Sequence, residues 1–202
     1  MSAAALQPST PAPPGDDADG RDLSAAVIDG RARVVARFDL GARRYFVLAC
    51  APVGAKEPTA GRWRREALPR LARGMANKAI ALDLELAEST VSRALGAWCR
   101  ALDVTSPAEL AQLARALEGA VRVSPASGGL VVSVDLDGAW SAAGLTSAEA
   151  AIAALAVRGL TNAEIAARRG TSVATVVNQL RAVHRKLGTS GRVGLSGAPS
   201  GA

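Results

Sequence analysis

The chain has few of the side chains that most catalytic chemistry requires. It has two cysteines, one histidine and an aromatic content of only 3% across 202 residues. Cys50, Cys99 and His184 are too few, and wrongly spaced, to build a zinc site. No nucleophile–base pair is visible. Asp135 and Asp137 look like paired carboxylates, but between a strand and Gly138 they read as turn formers. The terminal GLSGAPSGA has neither a preceding strand nor a Lys-Ser/Thr pair, which excludes a phosphate loop. No catalytic, metal or cofactor residue is therefore assigned, and an enzyme is not expected. Long apolar runs are missing too: the longest, Tyr45 to Ala55 and Ala150 to Val157, are too short to cross a bilayer. The start MSAAALQPST lacks the basic and apolar regions of a signal peptide. A cytoplasmic protein with reduced thiols and no membrane contact is expected.

The apolar content is high at 49%, mostly Ala, Leu and Val, which suits several small cores. Trp63, Trp98 and Trp140 read as fillers of such cores, and His184 as a surface or partly buried residue. A net charge of +6 favours an anionic partner.

The strongest signal is an internal repeat. Leu145 to Leu195, moved back 85 positions without a gap, lies on Ala60 to Leu110 with twelve identities, among them Gly74/Gly159, Asn77/Asn162, Ile80/Ile165, Thr90/Thr175, Val91/Val176, Leu95/Leu180 and Leu102/Leu187. The same offset places Ala36-Arg37-Phe38 on Val121-Arg122-Val123 and Tyr45–Ala49 on Leu130–Val134, with DLGARR and SPASGG as hairpin loops. The expected organisation is a disordered Pro-rich tail over 1–32, a small hairpin region over 33–59 and a first helical unit over 60–119. A second hairpin or linker over 120–138 and a second helical unit over 139–202 follow. Since a lone hairpin is marginal in water, each is expected to pack on its helices or on the other hairpin.

Helix ends are well marked in the second copy. Thr146 with Glu149 and Thr161 with Glu164 form capping boxes, Ser172 caps a longer helix, and Gly159, Gly170 and Gly188 mark the ends. Three helices with a Gly170 turn between the second and third make a helix-turn-helix. The first copy has Ala76 and Ala87 at the corresponding caps, each loss worth about 1 kcal/mol. Its fourth helix is better, with Ser106, Pro107 and Glu109 opening it and Leu110, Leu113, Ala114 and Leu117 on one face. The second copy ends in GRVGLSGAPSGA, which is expected to fray. The fold class is thus mainly α, with two tandem helix-turn-helix units of three or four helices.

Leu145-Thr146, Glu149, Gly159-Leu160, Asn162, Glu164-Ile165-Ala166, Ser172-Val173, Thr175-Val176 and Lys186-Leu187-Gly188, with Arg192 and Leu195, resemble the LuxR-type helix-turn-helix of bacterial transcription regulators. The first copy resembles it through Leu71, Gly74, Asn77-Lys78, Ile80-Ala81, Leu86, Ser89-Thr90-Val91 and Leu102. The resemblance implies a third helix in the DNA major groove, pairing through the fourth helix (here 107–118, in a homodimer), and contact with RNA polymerase. Where the family usually has Lys after T-V and often His two positions on, this chain has Val177 and Gln179, or Ser92 and Ala94. The family's first-helix acid is Glu149 in one copy and Arg64 in the other.

Phosphate contacts supply affinity and base edges supply specificity. Residues 145–195 carry seven basic and two acidic side chains, against eight and six in 60–110, where Asp83, Glu85 and Glu88 surround the turn. Arg168, Arg169, Arg181, Arg185 and Lys186, with the Thr175 hydroxyl, are the candidate phosphate contacts of the second copy; Asn178 and Gln179 are its candidate adenine readers. The first copy offers Lys78 and Thr90 for the backbone, Ser89 and Ser92 at the helix start, and Arg93 for guanine. Double-stranded DNA is the expected partner, bound with modest affinity and steep salt dependence. The alternative is a degenerate helix-turn-helix kept for protein pairing through the Leu110/Leu117 face.

Overall fold

Two hairpins meet edge to edge and join the halves of the chain into one sheet. The computed structural model describes residues 18–50, 61–118, 124–126, 129–136 and 144–197. Along it run α1 (Ala18–Ile28), β1 (Ala32–Leu40), β2 (Arg43–Cys50), α2 (Gly61–Ala72), α3 (Asn77–Asp83), α4 (Glu88–Leu102) and α5 (Pro107–Glu118). Then come β3 (Ser124–Ala126), β4 (Gly129–Asp135), α6 (Ser147–Val157), α7 (Asn162–Arg169), α8 (Val173–Leu187) and α9 (Gly191–Gly197). The described part is mainly α, as expected from the sequence. The sheet is antiparallel, in the order β1-β2-β4-β3, so each hairpin contributes one central strand.

The register corrects the repeat. Leu40 pairs with Arg43 at the end of the first hairpin, and Ala126 pairs with Gly129 at the end of the second, 86 positions later. The helix caps Ala76 and Thr161 remain 85 apart. One residue has therefore been lost between sheet and helices in the second copy. The difference decides which face is buried, because a shift of one residue turns a strand over. Phe46 and Leu48 point into the core opposite Val132 and Leu130, and Val132 and Val134, 86 positions later, are buried in turn. The Phe46–Val132 pair therefore lies on a local pseudo-two-fold axis that exchanges the hairpins.

Residues 18–32 depart from the expected tail. Leu23, Ala26 and Val27 at helical spacing are buried, so α1 is part of the core. Its last carbonyls are held from the first unit: Trp98 Nε1 donates to Val27 O at 3.4 Å and Arg64 Nη1 to Ile28 O at 3.2 Å. Residues 1–17 lie outside the described residues, as do Trp140 and Asp137.

The two fourth helices pack together at the centre of the chain. On α5 the buried set runs from Glu109 to Ala114 and on to Ala116 and Leu117, so the helix is enclosed on every side. It packs on α2, on β4 and on α9. The homodimer face expected over residues 107–118 is turned inward in the folded chain: Leu110, Leu113 and Ala114 have no exposed surface to offer a second copy. The expected fraying of the C-terminal segment is also corrected. Residues 191–197 form α9, and Leu195 and Ser196 are buried against the core. Residues 198–202 lie outside the described residues.

Polar groups in this seam are satisfied, as buried groups must be. Gln112 Nε2 donates to Val157 O at 2.7 Å and to Ser196 Oγ at 3.4 Å, while its Oε1 accepts from Arg44 Nη1 at 2.9 Å. One side chain of the first unit thus reaches α6, α9 and the sheet. Cys99 is buried, and burial with nearby Glu109 pushes its thiol up to about 11. Cys50 is exposed, and neither cysteine forms a disulfide.

Candidate nucleic-acid interface

In each unit two short helices meet across a turn and leave one face of the second helix open to solvent. The second unit builds this from its caps. Thr146 and Thr161 each accept the backbone N–H three residues on, at 3.3 Å, and the Glu149 and Glu164 carboxylates accept from the cap N–H at 2.7 and 2.6 Å. Ser172 accepts from Thr175 N at 3.0 Å, and Gly170, at φ +63°, turns the chain from α7 into α8. Val176, Leu180 and Val183 bury one stripe of α8. Thr175, Asn178, Arg181 and Arg185 stand exposed at three- and four-residue intervals on the other side.

The first unit repeats the shape with poorer parts. Ala76 and Ala87 occupy the cap positions without side-chain bonds, and Glu85 takes the left-handed turn at φ +55° where the second unit has glycine. That conformation disfavours a side chain by about 1–2 kcal/mol. Val91, Leu95, Trp98 and Leu102 are buried, while Ser89, Thr90, Ser92 and Arg93 are exposed. Lys78 is exposed in the first turn of α3.

Not every candidate residue is equally placed to meet a ligand. Lys186 Nζ lies 2.7 Å from Glu149 Oε2 and 3.1 Å from Gly144 O, so its charge is committed to locking α8 onto α6. Gln179 is half-buried, since a neighbour of outward-facing Asn178 is turned by about 100°. Ser92 Oγ accepts from Asn77 Nδ2 at 3.0 Å, and Thr175 Oγ1 is 2.8 Å from Ser172 Oγ. Arg168 and Arg169 are both exposed in the last turn of α7, where they form one basic patch. His184 is half-buried with Nδ1 3.2 Å from Thr189 Oγ1, and burial, with Arg192 adding to it, keeps its pKa below the usual value.

The turn of the first unit is electrostatically different. Asp83 is paired with Arg70 at 2.5 Å, and Glu85 and Glu88 are exposed where the second unit has Gly170 and Val173. The surface around α7 and α8 is therefore the more positive of the two.

The sequence model of the bacterial regulatory proteins of the luxR family matches residues 64–114 and 143–196, together just over half of the chain. The chain belongs to the luxR family of bacterial regulatory proteins. Each matched stretch covers one helix-turn-helix described above, so α4 and α8 occupy corresponding places in the two matches. No curated protein and no solved structure matches it. Among the described residues, no helix is long and apolar enough to cross a membrane.

Proposed function

We propose that this luxR-family chain is a transcription regulator that binds double-stranded DNA as a built-in dimer, placing α4 and α8 in successive major grooves. The observation that carries the reading is the seam. The fourth helices α5 and α9 pack together and β2 continues into β4, so one chain supplies the pairing that separate subunits would otherwise provide. Two recognition helices held by one pseudo-symmetric core suit half-sites about one helical turn apart.

The units divide the work unequally. Arg168, Arg169, Arg181 and Arg185 favour phosphate binding by the second unit, with Thr175 and Asn178 beside them. The first unit, with its acidic turn, contributes base reading through Arg93, flanked by Ser89 and Ser92, while Lys78 and Thr90 approach the backbone. Equilibrium binding to host genomic fragments at several salt concentrations tests the reading. The logarithm of affinity should fall steeply with the logarithm of salt concentration, by roughly 0.9 for each phosphate neutralised. A slope near zero would refute it.

A further inference from the structure

One concavity lies away from α4 and α8. It is a cavity of about 600 Å³ whose walls come from both units: the tip of the β1–β2 hairpin, the start of α5, the end of α6, and Arg192 of α9. Its size falls in the range of small-molecule sites, roughly 300–1,000 Å³. Four guanidinium groups (Arg37, Arg44, Arg158 and Arg192) and two carboxylates (Asp39 and Glu109) line it. Both carboxylates already accept from arginines in the same wall, Glu109 from Arg37 at 3.1 Å and Asp39 from Arg44 at 2.7 Å. The carbonyls ending α6 do not oppose an anion either. Ala156 O, Val157 O and Arg158 O are taken by Arg192, Gln112 and Arg44 at 3.0, 2.7 and 3.1 Å. The two acceptors of Arg192, Ala156 O and Asn162 Oδ1, are neutral, while the Glu164 carboxylate, held by Thr161 N–H, acts on its charge from outside the wall. One wall also presents the ring of Phe38, half exposed and stacked on Tyr45 with centroids 5.2 Å apart.

We propose that this cavity binds a small organic anion in which a phosphate or carboxylate head meets the arginines and a flat apolar group lies against Phe38. Guanidinium forks match both kinds of head with paired hydrogen bonds, and an apolar ring surface at the rim selects against a bare inorganic ion. The site stands independently of DNA binding. Since its walls belong to both units, its occupancy would be felt by both.

Phenyl phosphate is the probe, with inorganic phosphate and benzyl alcohol as its separate halves, each titrated into the isotopically labelled full chain and followed by amide shifts. Phenyl phosphate should give saturable shifts at residues 37–39, 105–109 and 156–159 by millimolar concentration, and each half alone should bind more weakly there. Phe38→Ala should weaken the probe about fivefold, the scale of one lost ring contact. Asp39→Asn, which removes a negative charge from the wall, should tighten it; the unshifted remainder of each spectrum reports the fold. Shifts confined to α4 and α8, no saturation by millimolar concentration, equal binding of inorganic phosphate, or indifference to both substitutions would overturn the proposal.

Discussion

Lys186 and Glu149 form a 2.7 Å ion pair that joins the end of α8 to the start of α6. In the first unit the corresponding positions are Ala101 and Arg64, so both partners have changed together. Arg64 is buried, with its guanidinium 5.6 Å from the Trp98 ring, and donates to Ile28 O. A lock between two helices of one unit has become a clasp on α1 through the Ile28 carbonyl, with the guanidinium held over Trp98 of α4 by a cation–π contact.

This exchange has a pH signature. The Lys186 ammonium and the Thr146 N–H hold the Glu149 carboxyl at about 2, below its ordinary 4.5. A depressed carboxylate contributes stability that is complete above the unfolded value and disappears as pH falls through the folded one. The window is therefore about 4.5 down to about 2. Glu149→Gln should be less stable than the parent at pH 7 and converge with it near the bottom of that window, as read by urea denaturation at each pH. A gap that stays constant with pH would contradict the assignment. Glu164, lowered in the same direction by Thr161, leaves some acid sensitivity in the variant.

The first unit should gain from caps that the second already has. Ala87→Ser recreates the Ser172–Thr175 arrangement, because Thr90 lies three residues on. It should stabilise the chain by about 1 kcal/mol. The denaturation midpoint should rise with an unchanged slope; an unchanged midpoint would mean that α4 is not capped at residue 87.

Gln112 is expected to hold the units in one cooperative structure. Gln112→Ala strands Val157 O and removes an acceptor from Arg44, at a cost of about 2 kcal/mol. Because one hydrophobic core runs through both units, tryptophan fluorescence of a Trp140→Phe chain (leaving Trp63 and Trp98 to report the first unit) and far-ultraviolet circular dichroism should show one common transition. Separate transitions would show that the seam does not couple the halves.

DNA contacts should separate by type. Arg185→Ala should weaken all sequences similarly and reduce the salt slope by about 1, whereas Arg93→Ala should relax preference at one base pair by about 1–3 kcal/mol. Binding of the two variants to a panel of single-base operator changes distinguishes these outcomes. Equal effects of both on every sequence would remove Arg93 as a reader.

The helix-turn-helix units were legible because local chemistry marks them. Threonine and serine caps, left-handed glycines and three-four apolar spacing all act within a few residues. The parts that were misread depend on distant partners. α1 offers Leu23, Ala26, Val27 and Ile28 within two turns, and α9 little beyond Leu195, so neither carries a long stripe that announces a helix. α1 is buried by α2, β1 and α5, and α9 mainly by α5; apart from β1, these partners are distant in sequence or in the other unit. The strand phase failed for a related reason. Phe46-Val47-Leu48 and Leu130-Val131-Val132 are continuous apolar runs, and without alternation a sequence cannot say which side faces the core. Lys186 looked like any basic residue on a helix, because its partner Glu149 lies 37 positions away.

The central claim is that one chain carries both reading heads of a dimer. Native mass spectrometry of the complex with a selected genomic fragment, combined with hydroxyl-radical footprinting on the same fragment, tests it most directly. The account predicts one chain per site and two protected stretches about one helical turn apart. Two chains per site, or a single protected stretch unaffected by Arg93→Ala, would contradict it.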